Sequence, residues 1–391
     1  MKREFEYSSV SNSEDVQKFG TILGQCFLSI PGEEQAWIER MGIENLRIIR
    51  QEKEIVGGLL TIPMAQWWGG ESVAMTGIAG VGVAPEHRGT GAALSLMEQA
   101  IKELYGRGVA ISVLYPAVQS LYRKVGYEQG GSFCSWEIPT KSIQIREQPL
   151  PIKTIPIDSE IFYELYAKQA KGINGYLNRN QTIWHRIIKP SEVDAFYAYL
   201  IGSPEKPEGY IIFSQHSVQD DDILRVSDWV TLSKAATQSF WSFLSNHRFQ
   251  IDKIRWRSSV IDYLTLLLPE QTAKTRDIRR WMLRVIDVEK ALSARGYPLE
   301  IDTELHLEVK DDLIPENNGK FILSIANGNA NVTKGGKGEL KLDIRGLAPL
   351  FTGLFPPQQL QLTGKLDATD TVISTATEIF AGNSPWMADF F

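Results

Sequence analysis

Residues 80–97, GVGVAPEHRGTGAALSLM, join an apolar, strand-like segment to a helix through a stretch that holds four glycines. Apolar side chains then recur at helical spacing, at Leu94, Met97, Ile101, Leu104 and Tyr105. This spacing predicts a helix from Gly91 onward. The first amide N–H groups of a helix have no partner within it and carry a partial positive charge, so they attract anions. Because glycine lacks the Cβ atom that would hold a phosphate away, the junction predicts a pyrophosphate-binding turn.

Two common nucleotide-binding motifs do not fit this junction. The chain contains no string of the P-loop form Gly-x-x-x-x-Gly-Lys-Ser/Thr. The dinucleotide pattern Gly-x-Gly-x-x-Gly/Ala fails at its sixth position, Leu94, and belongs after a first strand rather than after the third strand of a meander. The pattern Arg/Gln-x-x-Gly-x-Gly/Ala does fit, in the order Arg88, Gly89, Thr90, Gly91, Ala92 and Ala93. A glycine-rich turn that binds no ligand is the alternative.

The order of elements around this turn recurs later in the chain. Three strand-like segments, LRIIRQ, EIVGGLLTIPM and ESVAMTGIAGVGVA, precede the turn, and a helix, the strand VAISVLY, a short helix over residues 118–125 and a strand follow it. After the proline-rich segment 146–157, a helix, three strands, a helix and a strand are predicted again. This repetition indicates a diverged duplication. The second junction, VTLSKAATQSF, has neither glycine nor arginine, so we expect the second copy to lack the pyrophosphate turn.

The region beyond residue 280 has a different pattern of apolar and polar residues. Apolar and polar residues alternate there, as in GELKLDIRG, which is typical of a half-buried sheet. A chain of 391 residues is long enough for several cores. We therefore predict three domains, residues 1–145, 146–285 and 286–391, of which the first two are α/β with mixed sheets and the third is α+β.

Composition and charge exclude several classes of function. The formal net charge of −6 disfavours a nucleic-acid partner and mildly favours cationic small molecules, although solubility alone would explain it equally well. Cys26 and Cys134 lack CxxC spacing, and the five histidines lack ligand spacing, so we expect no metal. The first residues do not form a signal peptide, and residues 55–70 are too short to span a bilayer. These features predict a cytoplasmic protein that does not bind membranes.

The pattern at residues 88–93, together with the strand before it and LYRKVGY at residues 121–127, resembles the GNAT N-acetyltransferases. Two such domains followed by a sterol-carrier-like domain, with RVIDVEKAL at the last boundary, resemble the Eis family of bacterial acetyltransferases across essentially the whole chain. The resemblance implies acetyl-CoA as co-substrate. The loop would bind its pyrophosphate, and the strand carrying Val81, Gly82 and Val83 would offer backbone groups to the pantetheine arm. Gly80 and Gly82 would suit a β-bulge in that strand.

The resemblance also implies two catalytic groups. Tyr122 would be the general acid and the terminal carboxylate of Phe391 the general base. An α-carboxyl with a reference pKa of about 3.3–3.7 is a weak base, so we treat it first as an anchor for the substrate ammonium and second as a base acting through water. A tyrosine of the apolar core, sharing a face with Val118 and Val125, is the alternative for Tyr122. We expect no cysteine in the site, so transfer would be direct within a ternary complex.

Glu33, Glu34 and Trp37 lie in PGEEQAWIERM, where GNAT proteins commonly shape the acceptor site. Acidic and aromatic side chains suit a cationic amine, but a solvated helix start would look the same. The predicted function is therefore acetyl transfer to primary amines of polycationic compounds, such as aminoglycosides or lysine side chains. A protein lysine acetyltransferase, or a lipid or acyl-CoA-binding protein without transferase activity, is the alternative. The resemblance further implies a homo-oligomer, expected to be a hexamer.

Overall fold

The structure, a computed structural model, describes residues 4–10, 12–28, 32–188 and 195–391. The chain divides into two compact units. The first unit comprises Met1–Gly131, Trp281–Asn383 and Phe391, and the second comprises Ser132–Arg280 and Ser384–Phe390.

The N-terminal part of the chain alternates strands and helices much as the sequence predicts. Its elements are β1 (Glu6–Ser9), α1 (Ser13–Phe27), α2 (Glu33–Met41), β2 (Leu46–Gln51), β3 (Glu54–Trp68), β4 (Glu71–Val83), α3 (Ala92–Gly106), β5 (Ile111–Leu114), α4 (Gln119–Lys124) and β6 (Glu128–Pro139). The helix α4 is shorter than predicted because Val118 has extended backbone, with φ −139° and ψ 110°, and precedes the first turn. Its side chain is 59% exposed, so Val118 does not share a buried face with Tyr122.

The middle part repeats this order. It contains β7 (Ile152–Thr154), α5 (Ile161–Ala170), β8 (Leu177–Asn178), α6 (Gln181–Ile188), β9 (Phe196–Ser203), β10 (Lys206–Val218), β11 (Asp221–Thr231), α7 (Lys234–Ser245), β12 (Lys253–Ser258) and β13 (Lys274–Val285). The last part contains α8 (Val288–Ala294), β14 (Thr303–Lys310), β15 (Gly319–Ala326), β16 (Asn329–Lys334), β17 (Leu340–Asp343), α9 (Ile344–Thr352), α10 (Pro357–Leu362), β18 (Leu366–Asp367) and α11 (Asp370–Ile379).

The first unit contains two sheets. In one, the strand order is β1-β2-β3-β4-β5-β13, with β4 and β5 parallel and the other neighbours antiparallel. Strand β13 enters this sheet through residues 282–285, an arrangement that the sequence pattern does not show. In the other sheet the order is β16-β15-β14-β17-β18. The mixed sheets and their helices confirm the predicted α/β and α+β classes.

The second unit contains its own antiparallel meander, β9-β10-β11, in which β11 is followed by the parallel strand β12. Strand β12 in turn pairs antiparallel with residues 134–139 of β6. Three antiparallel strands followed by a parallel strand are also the arrangement of β2-β3-β4-β5 in the first unit. The repeated order of elements that the sequence predicts is therefore present in the structure.

A buried ion pair joins the two sheets of the first unit. Arg284 on β13 donates to Asp311, which follows β14, with an N–O distance of 2.8 Å, and both side chains are almost fully buried. Asp311 also accepts hydrogen bonds from the Asn317 amide and from the backbone N–H groups of Leu313 and Ile314. Removing the Asp311 carboxylate would therefore take the acceptor away from several buried donors at once.

Asp311→Ala should destabilise the protein strongly, because it leaves the Arg284 guanidinium buried without its counter-ion. Removing one partner of a buried pair costs about 3–5 kcal/mol of unfolding free energy. The measurement is a urea titration of wild type and variant. Glu14→Gln, which breaks an exposed ion pair with Lys18 (2.7 Å) in the same unit, is the control and should leave the midpoint unchanged. Equal effects of the two changes would contradict the central role of Asp311.

Candidate active site

The site begins where two parallel strands separate. Residues 75–77 of β4 pair with residues 111–113 of β5, and the last of these pairs joins Gly77 to Val113. Strand β4 then continues to Val83, whereas β5 ends at Leu114. Within the described part of the chain, β4 and β5 do not pair again beyond Gly77. The segment 78–83 therefore presents one strand edge that an extended ligand can pair with.

A β-bulge bends this open segment. The pairing of β3 with β4 shifts register between Gly58 and Leu60, and Gly80 has φ +58°. A Cβ atom at Gly80 would lie 2.9 Å from the ring of Trp37, so only glycine allows the α2 indole to pack against β4 here. The bulge predicted at Gly80 is therefore present, and the Trp37 ring packs on it.

The glycine turn follows directly. Gly89 and Gly91 have φ +75° and +94°, and a Cβ atom at either position would meet nothing within 4 Å. Helix α3 begins at Ala92 after Gly91, with no side-chain cap and no acidic residue in its first turn. The Thr90 hydroxyl donates to the carbonyl of His87 at 2.7 Å, which stabilises the turn. The α3 N-terminus thus has no side-chain cap, which leaves its N–H groups available to the anion that the sequence predicts.

Cys26 lies beside this turn, so the expectation that no cysteine lies in the site is wrong. Its Sγ is 3.6 Å from Nη2 of Arg88 and 3.5 Å from the carbonyl oxygen of Val83. Cys26 is on α1, which packs across β4, and this tertiary contact brings together residues that are far apart in sequence. A direct transfer mechanism therefore cannot be argued from the absence of a thiol.

The three residues predicted to bind the acceptor lie in different environments. Trp37 packs on Gly80 as described, whereas Glu33 is exposed at the start of α2. Glu34 is buried, accepts a hydrogen bond from the N–H of Gly32 at 3.1 Å, and directs Oε1 towards Gly24 of α1. Of the three, Trp37 has the clearest contact with the open strand.

A series of contacts through Tyr127 and Ser112 links Tyr122 to the point where β4 and β5 separate. The Tyr122 ring packs edge-on against Tyr127, with 6.2 Å between centroids. The Tyr127 hydroxyl is 2.7 Å from Oγ of Ser112, which donates to the carbonyl of Thr76 at 2.9 Å. Thr76 immediately precedes Gly77. Burial, to 6% exposure, raises the pKa of the Tyr122 phenol to about 12. The phenol therefore remains protonated throughout the neutral range.

Phe391 also lies at this point. Its ring packs edge-on against Tyr115, directly after β5, with 6.0 Å between centroids. A Cβ atom at Gly77 would be 2.6 Å from the Phe391 ring and would also collide with the methyl group of Met64. A glycine is therefore needed where the strands separate. Gly77, Tyr115 and Met64 were not predicted from the sequence; a glycine inside a strand is a known sign of close approach and was the available signal.

The second copy does not reproduce the open junction. Only residues 232–233 separate β11 from α7, and the Ser233 hydroxyl caps the helix by accepting from the N–H of Ala236 at 3.1 Å. The pairing of β11 with β12 ends at Arg225–Arg255, but the Trp229 indole then donates to the carbonyl of Arg257 at 2.9 Å. A side chain thus fills the gap that stays open beside β4.

Neither metal ligation nor a membrane span is indicated for the described ranges. No group of three or more His, Cys, Asp or Glu side chains among these residues is arranged to hold a metal ion. No helix in the same ranges is long and apolar enough to cross a bilayer.

Comparison with known families finds three matching segments along the chain. Residues 7–130 and residues 175–285 each match an acetyltransferase (GNAT) domain, and residues 288–388 match the sterol carrier protein domain. The fold and the site thus define a tandem GNAT acetyltransferase with a sterol carrier domain at its end.

Three relatives match most of the chain. A GCN5-related N-acetyltransferase of Anabaena variabilis, known as a crystal structure, is 56% identical, with 99% of this chain and 100% of that chain covered and a TM-score of 0.97. An uncharacterized N-acetyltransferase of Streptomyces griseus is 25% identical over 83% of each chain. The N-acetyltransferase Eis of Mycobacterium tuberculosis is 23% identical over 92% of each chain. The chain belongs to the GCN5-related N-acetyltransferases, which confirms the predicted enzyme class, and its similarity to Eis supports the predicted resemblance to that family.

The Tyr122 phenol should not ionise below about pH 11, because its surroundings disfavour the phenolate. We expect the ultraviolet phenolate titration of the folded wild type and of Tyr122→Phe to coincide between about pH 9 and pH 11, where an unperturbed tyrosine titrates. Absorbance titration under native conditions measures this. One additional phenolate in the wild type with a midpoint near pH 10 would contradict the buried environment.

Proposed function

We propose that the protein transfers an acetyl group from acetyl-CoA to a primary amine of a polycationic acceptor, such as an aminoglycoside or a lysine side chain. Transfer is direct, within a ternary complex, because the proposed acid and base act on the leaving sulfur and the attacking amine in the same complex. The observation that carries the proposal is the open edge of β4 leading into an uncapped glycine turn, with the Phe391 ring at the start of the edge and Tyr122 linked to that start through Tyr127 and Ser112.

The residues of the open edge and turn fit acetyl-CoA. Backbone groups of Val81, Gly82 and Val83 pair with the extended pantetheine arm, as an added strand does. The pyrophosphate binds at the α3 N-terminus, through the main chain of the turn and the guanidinium of Arg88; the full set is Arg88, Gly89, Thr90, Gly91, Ala92 and Ala93. The exposed Arg88 side chain and the two positive-φ glycines support this assignment. Acetyl-CoA supplies the thioester-activated acetyl group.

Tyr122 acts as a hydrogen-bond donor and general acid towards the leaving sulfur. Transfer of its proton to a thiolate with a pKa near 8.5 is uphill by about 5 kcal/mol when the phenol pKa is about 12. Full proton transfer from the phenol must therefore be coupled to loss of the proton from the attacking amine. Until that moment the protonated phenol stabilises negative charge on sulfur by a hydrogen bond, which requires no ionised tyrosine.

The Phe391 carboxylate acts on the acceptor. A primary amine with a pKa near 10.4 arrives as an ammonium ion and must lose a proton before it attacks. The carboxylate first binds this ammonium by charge and then accepts its proton, directly or through water. Trp37, Glu33 and Glu34 contribute an aromatic face and negative charge to acceptor selection, and the net charge of −6 favours cationic acceptors.

The remaining predictions belong to the same proposal. The domains have boundaries at residues 1–145, 146–285 and 286–391, and the middle domain lacks the cofactor turn. The enzyme works in the cytoplasm as a homo-oligomer, a hexamer by family resemblance, with no metal and with neither nucleic acid nor membrane as a partner. The short, serine-capped junction at residues 232–233 supports the loss of cofactor binding in the middle domain.

Release of free thiol from acetyl-CoA should follow addition of an aminoglycoside or polyamine to the wild-type protein. Tyr122→Phe is the matched control, because it keeps the ring packed on Tyr127 and removes the hydroxyl. We expect its turnover to fall by about 10²-fold or more, with acetyl-CoA affinity within about twofold of wild type. If no amine in a broad panel releases thiol, the lipid or acyl-CoA-binding alternative replaces the proposal; preference for lysine peptides favours a protein acetyltransferase.

Gly91→Ala should weaken acetyl-CoA binding about tenfold. Alanine at φ +94° costs about 1–2 kcal/mol, and its methyl group points into the space proposed for the pyrophosphate. Isothermal calorimetry with coenzyme A measures the effect. Gly106→Ala at the other end of α3 also meets open space but does not have positive φ, so its affinity should equal that of wild type. Unchanged affinity in Gly91→Ala would remove the turn from the binding site.

A further inference from the structure

The last residues of the chain are fastened within the second unit, although Phe391 itself belongs to the first. The N–H of Met387 donates to the carbonyl of Ser132 at 3.1 Å, and the N–H of Ser132 donates to the carbonyl of Pro385 at 3.2 Å. The Trp386 ring packs edge-on against Tyr176 with 4.6 Å between centroids. Chain termini are usually poorly ordered unless they are tied down, so these contacts restrain a segment that would otherwise be mobile.

A buried cluster of charges holds the next part of the tail. Nε of Arg179 is 3.1 Å from both carboxylate oxygens of Asp389, and its two terminal nitrogens are 2.7 and 2.9 Å from the carboxylate of Asp228. The Arg179 side chain is 1% exposed and lies 3.7 Å from the centroid of Tyr166. The Tyr210 hydroxyl donates to Asp228 at 2.6 Å. Although burial alone lowers the pKa of Arg179, the two carboxylates raise it well above its ordinary value.

The ion cluster lies just beyond the point where the pairing of β11 with β12 ends. Asp228 is on β11 beyond Arg225, the last residue that pairs with β12. Arg257 on β12 donates to the carbonyl of Ala388 at 3.4 Å. Residues of both strands, past the end of their pairing, therefore contact the tail or share its ion cluster. The corresponding ends of β4 and β5 form the open edge of the first copy.

We propose that the second GNAT copy uses the cofactor end of its strands to hold the C-terminal tail, with Arg179 and Asp389 as positioning residues for the Phe391 carboxylate. This inference rests on the proposed function of that carboxylate. Two residues span at most about 7 Å, so fixing Asp389 confines the terminal group to a small volume. A catalytic group confined in this way reacts more effectively than one on a free tail.

The first test measures the anchor without reference to activity. Asp389→Ala removes the tail's share of the cluster and leaves the Arg179–Asp228 pair intact. We expect carboxypeptidase A to release Phe391 from the folded variant at least about tenfold faster than from wild type. Glu137→Gln is the matched control, because it breaks ion pairs with Arg255 (2.7 Å) and Arg276 (3.3 Å) in the same unit but does not touch the tail. Equal release rates for Asp389→Ala and wild type would overturn the proposal.

The second test measures positioning in the reaction. Asp389→Ala should lower kcat for thiol release about tenfold or more, with the calorimetric Kd for acetyl-CoA within about twofold of wild type and Glu137→Gln unchanged in both. A two-residue Gly-Ser extension after Phe391 moves the carboxylate without changing any side chain. In that background, Asp389→Ala should have no further effect on kcat, because both changes act through the same group.

The two tests separate the inference from the function on which it rests. Faster release of Phe391 with unchanged kcat would overturn the positioning role while acetyl transfer stands. Additive losses in the extended background would overturn it as well, because Asp389 would then act by another route. If the wild type releases no thiol with any amine, the proposed function fails and the positioning role with it, whereas the carboxypeptidase result still decides whether Asp389 anchors the tail.

Discussion

The parallel pairing between β4 and β5 stops at Gly77 and Val113, and the arrangement of the site depends on that stop. A strand whose edge is not paired leaves backbone donors and acceptors available to a ligand. The bulge at Gly80 bends that edge, and the uncapped start of α3 lies at its far end. Because Gly77 has no side chain, the Phe391 ring can sit at the near end. The proposed binding of acetyl-CoA and the proposed placement of the Phe391 carboxylate thus share one geometric origin.

The two GNAT copies share a strand topology but differ at the junction between the third strand and the following helix. Both have a meander followed by a parallel strand, and in both that pairing ends early. In the first copy, residues 84–91 connect strand to helix, and glycine keeps the helix start accessible. In the second, a serine hydroxyl satisfies the helix start and the Trp229 indole bridges the strands. The anion-binding turn proposed for the first copy therefore has no counterpart at this junction of the second.

The sequence predicts those parts of the molecule that depend on local chemistry. The glycine turn, the helix after it and the bulge at Gly80 follow from spacing and from conformational freedom that glycine alone has. Contacts between distant segments were not predictable in this way. Cys26 contacts Arg88 only because α1 packs across β4. Val118 lies outside α4 because its backbone is extended, which the spacing of apolar residues does not reveal. The ion pair between Arg179 and Asp389 joins residues 210 positions apart, and no local sequence pattern indicates it.

The Trp229 indole and the two-residue connection before α7 also bear on the history of the duplication. A turn like that at residues 84–91 would need a longer connection here, a helix start without the Ser233 cap, and removal of the Trp229 ring from its bridge to Arg257. Under the proposed function, each polypeptide therefore carries one catalytic centre, in its first GNAT copy.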